Sequence, residues 1–355
     1  MIGLYIHVPF CLSKCPYCDF YSERYSKSLA EEYKKAVIRN LAFYNESYDT
    51  VYFGGGTPIL LANEIADILG QVKLAENAEV TVEANPCVSD ERRLSTLIGA
   101  GVNRISFGVQ SMNEGELNFL GRKHSAEQAA AAIELAHNIG FHNISADLML
   151  GLEHQAENKI KRSVEALSAL PVTHISAYLL KIEEGTPFSE MNIEIPEDEH
   201  LSELYLYACD KLEENGFFQY EISNFSKAGA ECRHNLKYWR CEEYLGIGPA
   251  AHSFFNGKRF SVPRSINSFI SAEYQPTEIT DENPRDFDEY AMLKLRLTEG
   301  LSFSDCEKFG VERGVILNRL RKIPNEYFIM DGNYVRLTKK GFLLSNAVIG
   351  KILGY

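Results

Sequence analysis

The fold class this sequence predicts is α/β, a partial or complete barrel of the TIM type built from six β/α units and followed by a smaller C-terminal α+β unit. Three observations predict it. Six short β-rich runs alternate with longer amphipathic segments from the N-terminus to about residue 180. Polar residues of unusual type collect at the C-terminal ends of those runs, the face where barrels build their sites. Near residue 200 the alternation stops, and helices followed by a hairpin take over. Parallel strands joined by helices require right-handed crossovers. An open doubly wound sheet would spread its strand ends along a line, so convergence on one cavity favours a rolled sheet.

The strand candidates in order are LYIHV (4–8), TVYFG (50–54), EVTVEA (79–84), RISFGV (104–109), ISADLML (144–150) and HISAYLL (174–180). Between them, SLAEEYKKAVIRNLAFY and SAEQAAAAIELAHNIG carry helical spacing, and the second ends on Gly140 as helices often do. GGGTP follows the second strand, Glu83 and Gln110 stand at the ends of the third and fourth, and Asp147 lies within the fifth. Beyond residue 200, DEHLSELYLYACDKLEENGF reads as a helix, followed by an aromatic-rich stretch and a linker near EYQPTEITDENPRD. The segment DEYAMLKLRLTEG and two shorter helical patterns then lead to EYFIMDGNYVRLT, a hairpin whose DGN supplies turn residues of positive φ. That order is winged-helix-like. The expected division is a core barrel over 1–225, a connecting region over 226–285 and a C-terminal domain over 286–355.

Apolar residues make up 45% and charged residues 24% of the 355, a globular composition with no room for a long disordered tract. The formal net charge of −13 disfavours a general grip on nucleic acid, so the winged unit is expected to pack rather than read DNA. RKH at 122–124 still offers a local cation for a small anion. MIGLYIHVPF has neither the basic start nor the apolar run of a signal peptide, and no run approaches the roughly 20 residues that span a bilayer. A soluble, cytoplasmic protein is expected, and there thiols stay reduced. The eight cysteines are then metal ligands or small buried residues rather than disulfides.

Three of them, Cys11, Cys15 and Cys18, share one short loop at spacing C-x3-C-x2-C. A tetrahedral zinc site would need a fourth ligand, for which His7 and Asp19 are at hand. A [4Fe–4S] cluster on three thiolates would instead leave one iron without a protein ligand, open to a cofactor such as S-adenosylmethionine. Such a site asks for glycines that permit close approach, carboxylates for ribose hydroxyls and a cation for a carboxylate, and the strand ends contain each. On the residues alone both readings stand.

The string YIHVPFCLSKCPYCDF, with FGGGTP, VEANP, SFGVQS, LGRKHS and DLMLGL, resembles the radical S-adenosylmethionine (radical SAM) enzymes of the oxygen-independent coproporphyrinogen III dehydrogenase (HemN-like) family over nearly the whole chain. The resemblance implies α/β architecture in the form of a radical SAM partial (β/α)6 TIM-type barrel, with a [4Fe–4S] cluster on Cys11, Cys15 and Cys18. It also implies S-adenosylmethionine in contact with Tyr5, Tyr17, Gly55, Gly56, Thr57, Glu83, Gln110, Arg122 and Asp147. Two departures weigh against coproporphyrinogen decarboxylation. Phe20 stands where the dehydrogenase has a further cysteine, and only ten residues precede the cysteine loop where that enzyme has an extension.

A third feature is CRHNLKYWRCEEYLGIGPAAHS (232–253), which carries H-N-x-x-Y-W as His234, Asn235, Tyr238 and Trp239. Imidazole is a common ligand of heme iron and aromatic rings pack on a porphyrin face, although a satisfied core cluster has the same composition. The pattern resembles the heme-binding motif of the heme chaperone branch of the family. What this implies is a protein that binds heme and delivers it to apo-proteins, with respiratory proteins among the candidate acceptors. Coproporphyrinogen III oxidation in porphyrin biosynthesis is the alternative. His252 and Cys232 are further donors near the motif. A homodimer would require a contiguous apolar patch, which sequence does not place.

Overall fold

The computed structural model describes residues 1–355. All six β-rich runs form strands: β1 (Ile2–Val8), β2 (Ser47–Gly55), β3 (Lys73–Ala84), β4 (Arg104–Gln110), β5 (Asn143–Leu150) and β6 (His174–Leu179). Each pairs in parallel with the next. Burial runs almost unbroken along β4 and β5, as it does where a parallel sheet is covered on both faces. Ile6, Phe53, Val82, Phe107 and Ile144 belong to one core of 57 buried residues. The helix Ala126–Ile139 opens on a reciprocal capping box between Ser125 and Gln128 and ends at Gly140, at φ 122°.

The sheet does not close on itself. It has twelve strands, with β1 to β6 side by side in chain order at its centre. On the β6 edge, β7 (Phe218–Gln219) and β8 (Asn224–Ser226) run antiparallel. On the β1 edge, β9 (Tyr244–Ile247) is a seventh parallel strand. It is followed by antiparallel β10 (His252–Phe255), β11 (Lys258–Ser261) and β12 (Glu278–Asp281). The stretch 226–285, expected as a connecting region, therefore adds four strands to the barrel sheet. It also contributes Leu245, Ile247, Phe255 and Phe269 to the same core. At Gly246 a Cβ would collide with the His252 carbonyl, so a glycine is needed where β9 meets β10.

A second core of 15 buried residues, Leu295, Phe303, Ile316 and Val335 among them, organises the C-terminal part. Its helix Phe287–Lys294, short strand β13 (Leu301–Ser302), helices Phe303–Lys308 and Arg313–Leu320, and hairpin β14 (Phe328–Asp331) with β15 (Tyr334–Leu337) follow the winged-helix order. Asp331 pairs with Tyr334, so the hairpin loop is Gly332–Asn333, and only Gly332 has positive φ. That is the glycine-first form of a two-residue turn. The Asn333 amide instead donates to the hydroxyls of Ser302 and Ser304. No helix is long and apolar enough to cross a membrane.

Candidate functional site

The cysteine loop leaves β1 and crosses the C-terminal ends of the parallel strands. It is pinned where Phe10–Cys11 pairs with Glu23–Arg24. All eight cysteines are free. Cys11, Cys15 and Cys18 line one cavity together with Tyr17, Gly55, Gly56, Thr57, Glu83, Gln110, Arg122 and Asp147. Of the residues the resemblance assigned to S-adenosylmethionine, only Tyr5 is elsewhere: its hydroxyl meets His7 Nδ1 at 3.0 Å and its ring faces a second, neighbouring cavity.

The glycine run is required by the loop passing over it. A Cβ on Gly56 would lie 2.6 Å from the Phe10 carbonyl oxygen, and one on Gly55 2.6 Å from His7 Cε1. The close packing lets Gly56 N–H donate to Val8 O at 2.8 Å and Thr57 N–H to Phe10 O at 2.7 Å. Glycine at these positions thus serves the protein's own backbone first. The same two residues form the floor of the cavity.

Two polar groups reach the sulfurs. Thr57 Oγ1 is 3.5 Å from Cys11 Sγ, and Arg122 Nη1 donates to Cys15 Sγ at 3.3 Å. Arg122 also donates to the Gly108 carbonyl, while its Nε is buried without a partner. Glu83 is half-buried and accepts from Tyr52 Oη at 2.9 Å and from Gly55 N–H at 3.0 Å. Burial, and then the Asp147 carboxylate, push its pKa up to about 7 against the pull of those donors. Burial likewise lifts Asp147 to about 6, with Ser176, Arg104, Arg122 and Ser106 opposing. Gln110 is held at φ 74°, unusual for a residue with a side chain, and accepts from Tyr178 Oη at 2.8 Å.

These residues suit a cluster held by three thiolates better than zinc. Of the two candidate fourth ligands, His7 has both ring nitrogens engaged, Nδ1 by Tyr5 and Nε2 by the Tyr21 carbonyl at 2.9 Å. Asp19 is tied to Arg264 at 3.3 Å. The unpartnered Arg122 Nε and the two half-buried carboxyls, meanwhile, match a ligand with one carboxylate and a pair of hydroxyls. Ser13, Lys14, Asn85, Ser106, Gly108 and Tyr178 also line the cavity and were not singled out from sequence. The two-residue period of β4 was the available signal, since it puts Ser106, Gly108 and Gln110 on one face.

The second cavity, of about 800 Å³, lies between β1, β9 and the loops after β9 and β11. Its size is that of a small-molecule site. Phe20 and Glu83 line both cavities. The helix Arg233–Trp239 carries the H-N-x-x-Y-W motif against it. Buried Glu79 fastens the start of this helix by accepting from Arg233 N–H at 3.1 Å and His234 N–H at 3.0 Å. Glu79→Ala would strip two charge-assisted bonds, worth about 1.5–3 kcal/mol each and not fully additive. A loss of about 2–4 kcal/mol is expected in urea unfolding, and an unchanged midpoint would contradict this anchoring role.

The sequence reading treats the four motif side chains as one binding set, and the structure divides them. Asn235 and Tyr238 are on the cavity wall. His234 is one layer behind it, 0% exposed, with Nδ1 2.8 Å from Thr50 Oγ1 and Nε2 2.7 Å from Tyr238 Oη. Its ring stacks on Tyr52 and Tyr5 at centroid distances of 5.3 and 6.4 Å. Burial lowers its pKa to about 3, so it is neutral. Trp239 does not line the cavity and sits beneath the Arg296 guanidinium, 6.0 Å from the ring centroid.

A loop of three cysteines over a parallel strand-end cradle of glycine, carboxylates and arginine defines the class of protein, and residues 5–167 match the Radical SAM superfamily. A protein of Bacillus subtilis (strain 168) named heme chaperone HemW is 36% identical over 379 residues, covering 100% of each chain. Its namesake in Escherichia coli (strain K12) is 33% identical, covering 98% of this chain and 97% of its own. The radical S-adenosyl methionine domain-containing protein 1 of Danio rerio, a mitochondrial protein, is 32% identical over 99% of this chain and 86% of its own. Among solved structures, the coproporphyrinogen III oxidase HemN of Escherichia coli superposes with a TM-score of 0.84 over 100% of this chain and 90% of its own. At 18% identity this last likeness shows the fold alone. The chain belongs to the HemW family of radical SAM proteins.

Proposed function

We propose that the chain is a heme chaperone: it binds heme in the aromatic cavity and delivers it to apo-proteins, respiratory ones among them, in the cytoplasm. The observation that carries the reading is the pairing of two cavities across Glu83 and Phe20. One has the three thiols and the strand-end polar set. The other has a wall of Tyr5, Tyr52, Tyr238 and Tyr244, with the Arg264 guanidinium at its edge. The names of the full-length relatives support this assignment.

In the first cavity Cys11, Cys15 and Cys18 hold a [4Fe–4S] cluster. Arg122 Nε meets the carboxylate of S-adenosylmethionine, Glu83 and Asp147 accept from its ribose hydroxyls, and Tyr17, Gly55, Gly56, Thr57 and Gln110 shape the rest. A cluster bound there supplies an electron beside the sulfonium. In the second cavity Asn235 and Tyr238 contact the porphyrin, and His234 positions Tyr238 from behind. Phe20 fills the boundary between the two cavities where the dehydrogenase-type motif has a cysteine.

The competing reading is oxygen-independent oxidation of coproporphyrinogen III, favoured by the strand-end set and opposed by Phe20. One experiment separates the two. The reconstituted chain is incubated anaerobically with coproporphyrinogen III, reductant and S-adenosylmethionine, and in parallel its heme-loaded form is mixed with an apo-cytochrome. Transfer of the heme absorption to the acceptor, without protoporphyrinogen IX, is expected. Multiple-turnover formation of protoporphyrinogen IX would overturn the chaperone reading.

A further inference from the structure

Three histidines stand in or next to the aromatic cavity, and two are already bonded at both ring nitrogens. His7 bridges Tyr5 and the Tyr21 carbonyl, and His234 bridges Thr50 and Tyr238. Cys232, the nearby thiol, is wholly buried next to Glu79 and its pKa is pushed up to about 12. His252 differs from all of these. It is exposed on the cavity wall and its ring makes no hydrogen bond within the protein. Partial burial and Arg264 lower its pKa, so a neutral imidazole with a free lone pair faces the space.

The position is also rigid. His252 opens β10, opposite Ser261 of β11, and its carbonyl is clamped over Gly246. Sites carried on strands hold their geometry better than sites on loops. Arg264, which borders the same cavity, supplies a cation suited to a carboxylate at the rim, with Asp19 as its present partner at 3.3 Å. Tyr238 and Tyr244 offer ring faces and Val262 and Pro263 an apolar surface to a flat macrocycle.

We infer that His252, rather than His234, donates the imidazole nitrogen to heme iron in this cavity, with Arg264 set to meet a propionate. The inference rests on the heme-binding reading above. The test is hemin titration of the full chain, followed by the Soret band, in wild type, His252→Ala and His234→Gln. Even groups that merely support a metal ligand cost about 10–100-fold in affinity when removed, so His252→Ala should weaken binding at least about tenfold and shift the band. Added imidazole should restore its position. His234→Gln retains a hydrogen-bonding amide behind the wall and should keep the wild-type band position. A wild-type band and affinity in His252→Ala overturn the inference, whatever His234→Gln shows. A wild type with no saturable band would instead sink the heme-binding reading itself.

Discussion

Replacing any one of Cys11, Cys15 or Cys18 with alanine is expected to bring cluster iron and sulfide to background after anaerobic reconstitution, while Cys87→Ala, Cys209→Ala and Cys306→Ala leave both at the wild-type level. A cube with three protein thiolates and one open iron does not tolerate the loss of another protein ligand. The controls differ in kind. Cys209 and Cys306 are buried, and burial pushes their pKa values up to about 12 and about 11, so they stay thiols. Cys87 is the demanding control, because it is exposed on the turn after β3 and feels both Arg122 and Cys15. Stoichiometric zinc without sulfide in anaerobic wild type would contradict the assignment, as would cluster retention in any of the three single variants.

Glu83→Gln should weaken S-adenosylmethionine binding by about one to two orders of magnitude, since a charge-assisted hydrogen bond contributes about 1.5–3 kcal/mol. Calorimetry on the reconstituted protein measures this, and unchanged affinity would refute the ribose placement. The same residue makes a separate prediction for the chain without cofactor. Its folded pKa of about 7 lies above its ordinary value of 4.5. The carboxyl therefore contributes stability that is fully present below pH 4.5 and is lost as pH rises through 7. Asp147 acts in the same direction, from 3.8 to about 6. Unfolding free energy should thus fall between about pH 4.5 and 7 in wild type and fall less in Glu83→Gln. Identical pH profiles in urea unfolding would show that Glu83 is not held in an environment that penalises its charge.

The parallel half of the fold was legible because each strand there has a core to face on both sides, which leaves long apolar runs such as ISADLML. The four strands of 226–285 were not. They are only four residues each, three of them are antiparallel additions outside the β/α alternation, and EYQPTEITDENPRD looks like a linker because Glu278–Asp281 within it is an exposed strand. The strand-end site was readable for a similar reason: Glu83, Gln110 and Asp147 interrupt hydrophobic runs at positions where a buried polar group needs a purpose. Tyr5 shows what alternation leaves open: it fixes the face of β1 on which the ring stands but not which of two adjoining cavities that face meets. His234 was the hardest case. Its sequence neighbours mark a binding motif, yet the Thr50 hydroxyl that occupies its Nδ1 is 184 residues away along the chain. No local pattern announces such a partner.

The central claim is that heme occupies the aromatic cavity beside the cofactor site, and blocking that cavity tests it most directly. Ser261, paired with His252 across β10 and β11, lines the cavity, so Ser261→Trp would place an indole within it. Hemin binding is measured by the Soret change in wild type and Ser261→Trp, with cluster iron and sulfide assayed on the same samples. Saturation at one heme per chain in wild type, lost in Ser261→Trp while the cluster content is unchanged, is the predicted result. Equal heme binding by the two proteins would place heme elsewhere and contradict the claim.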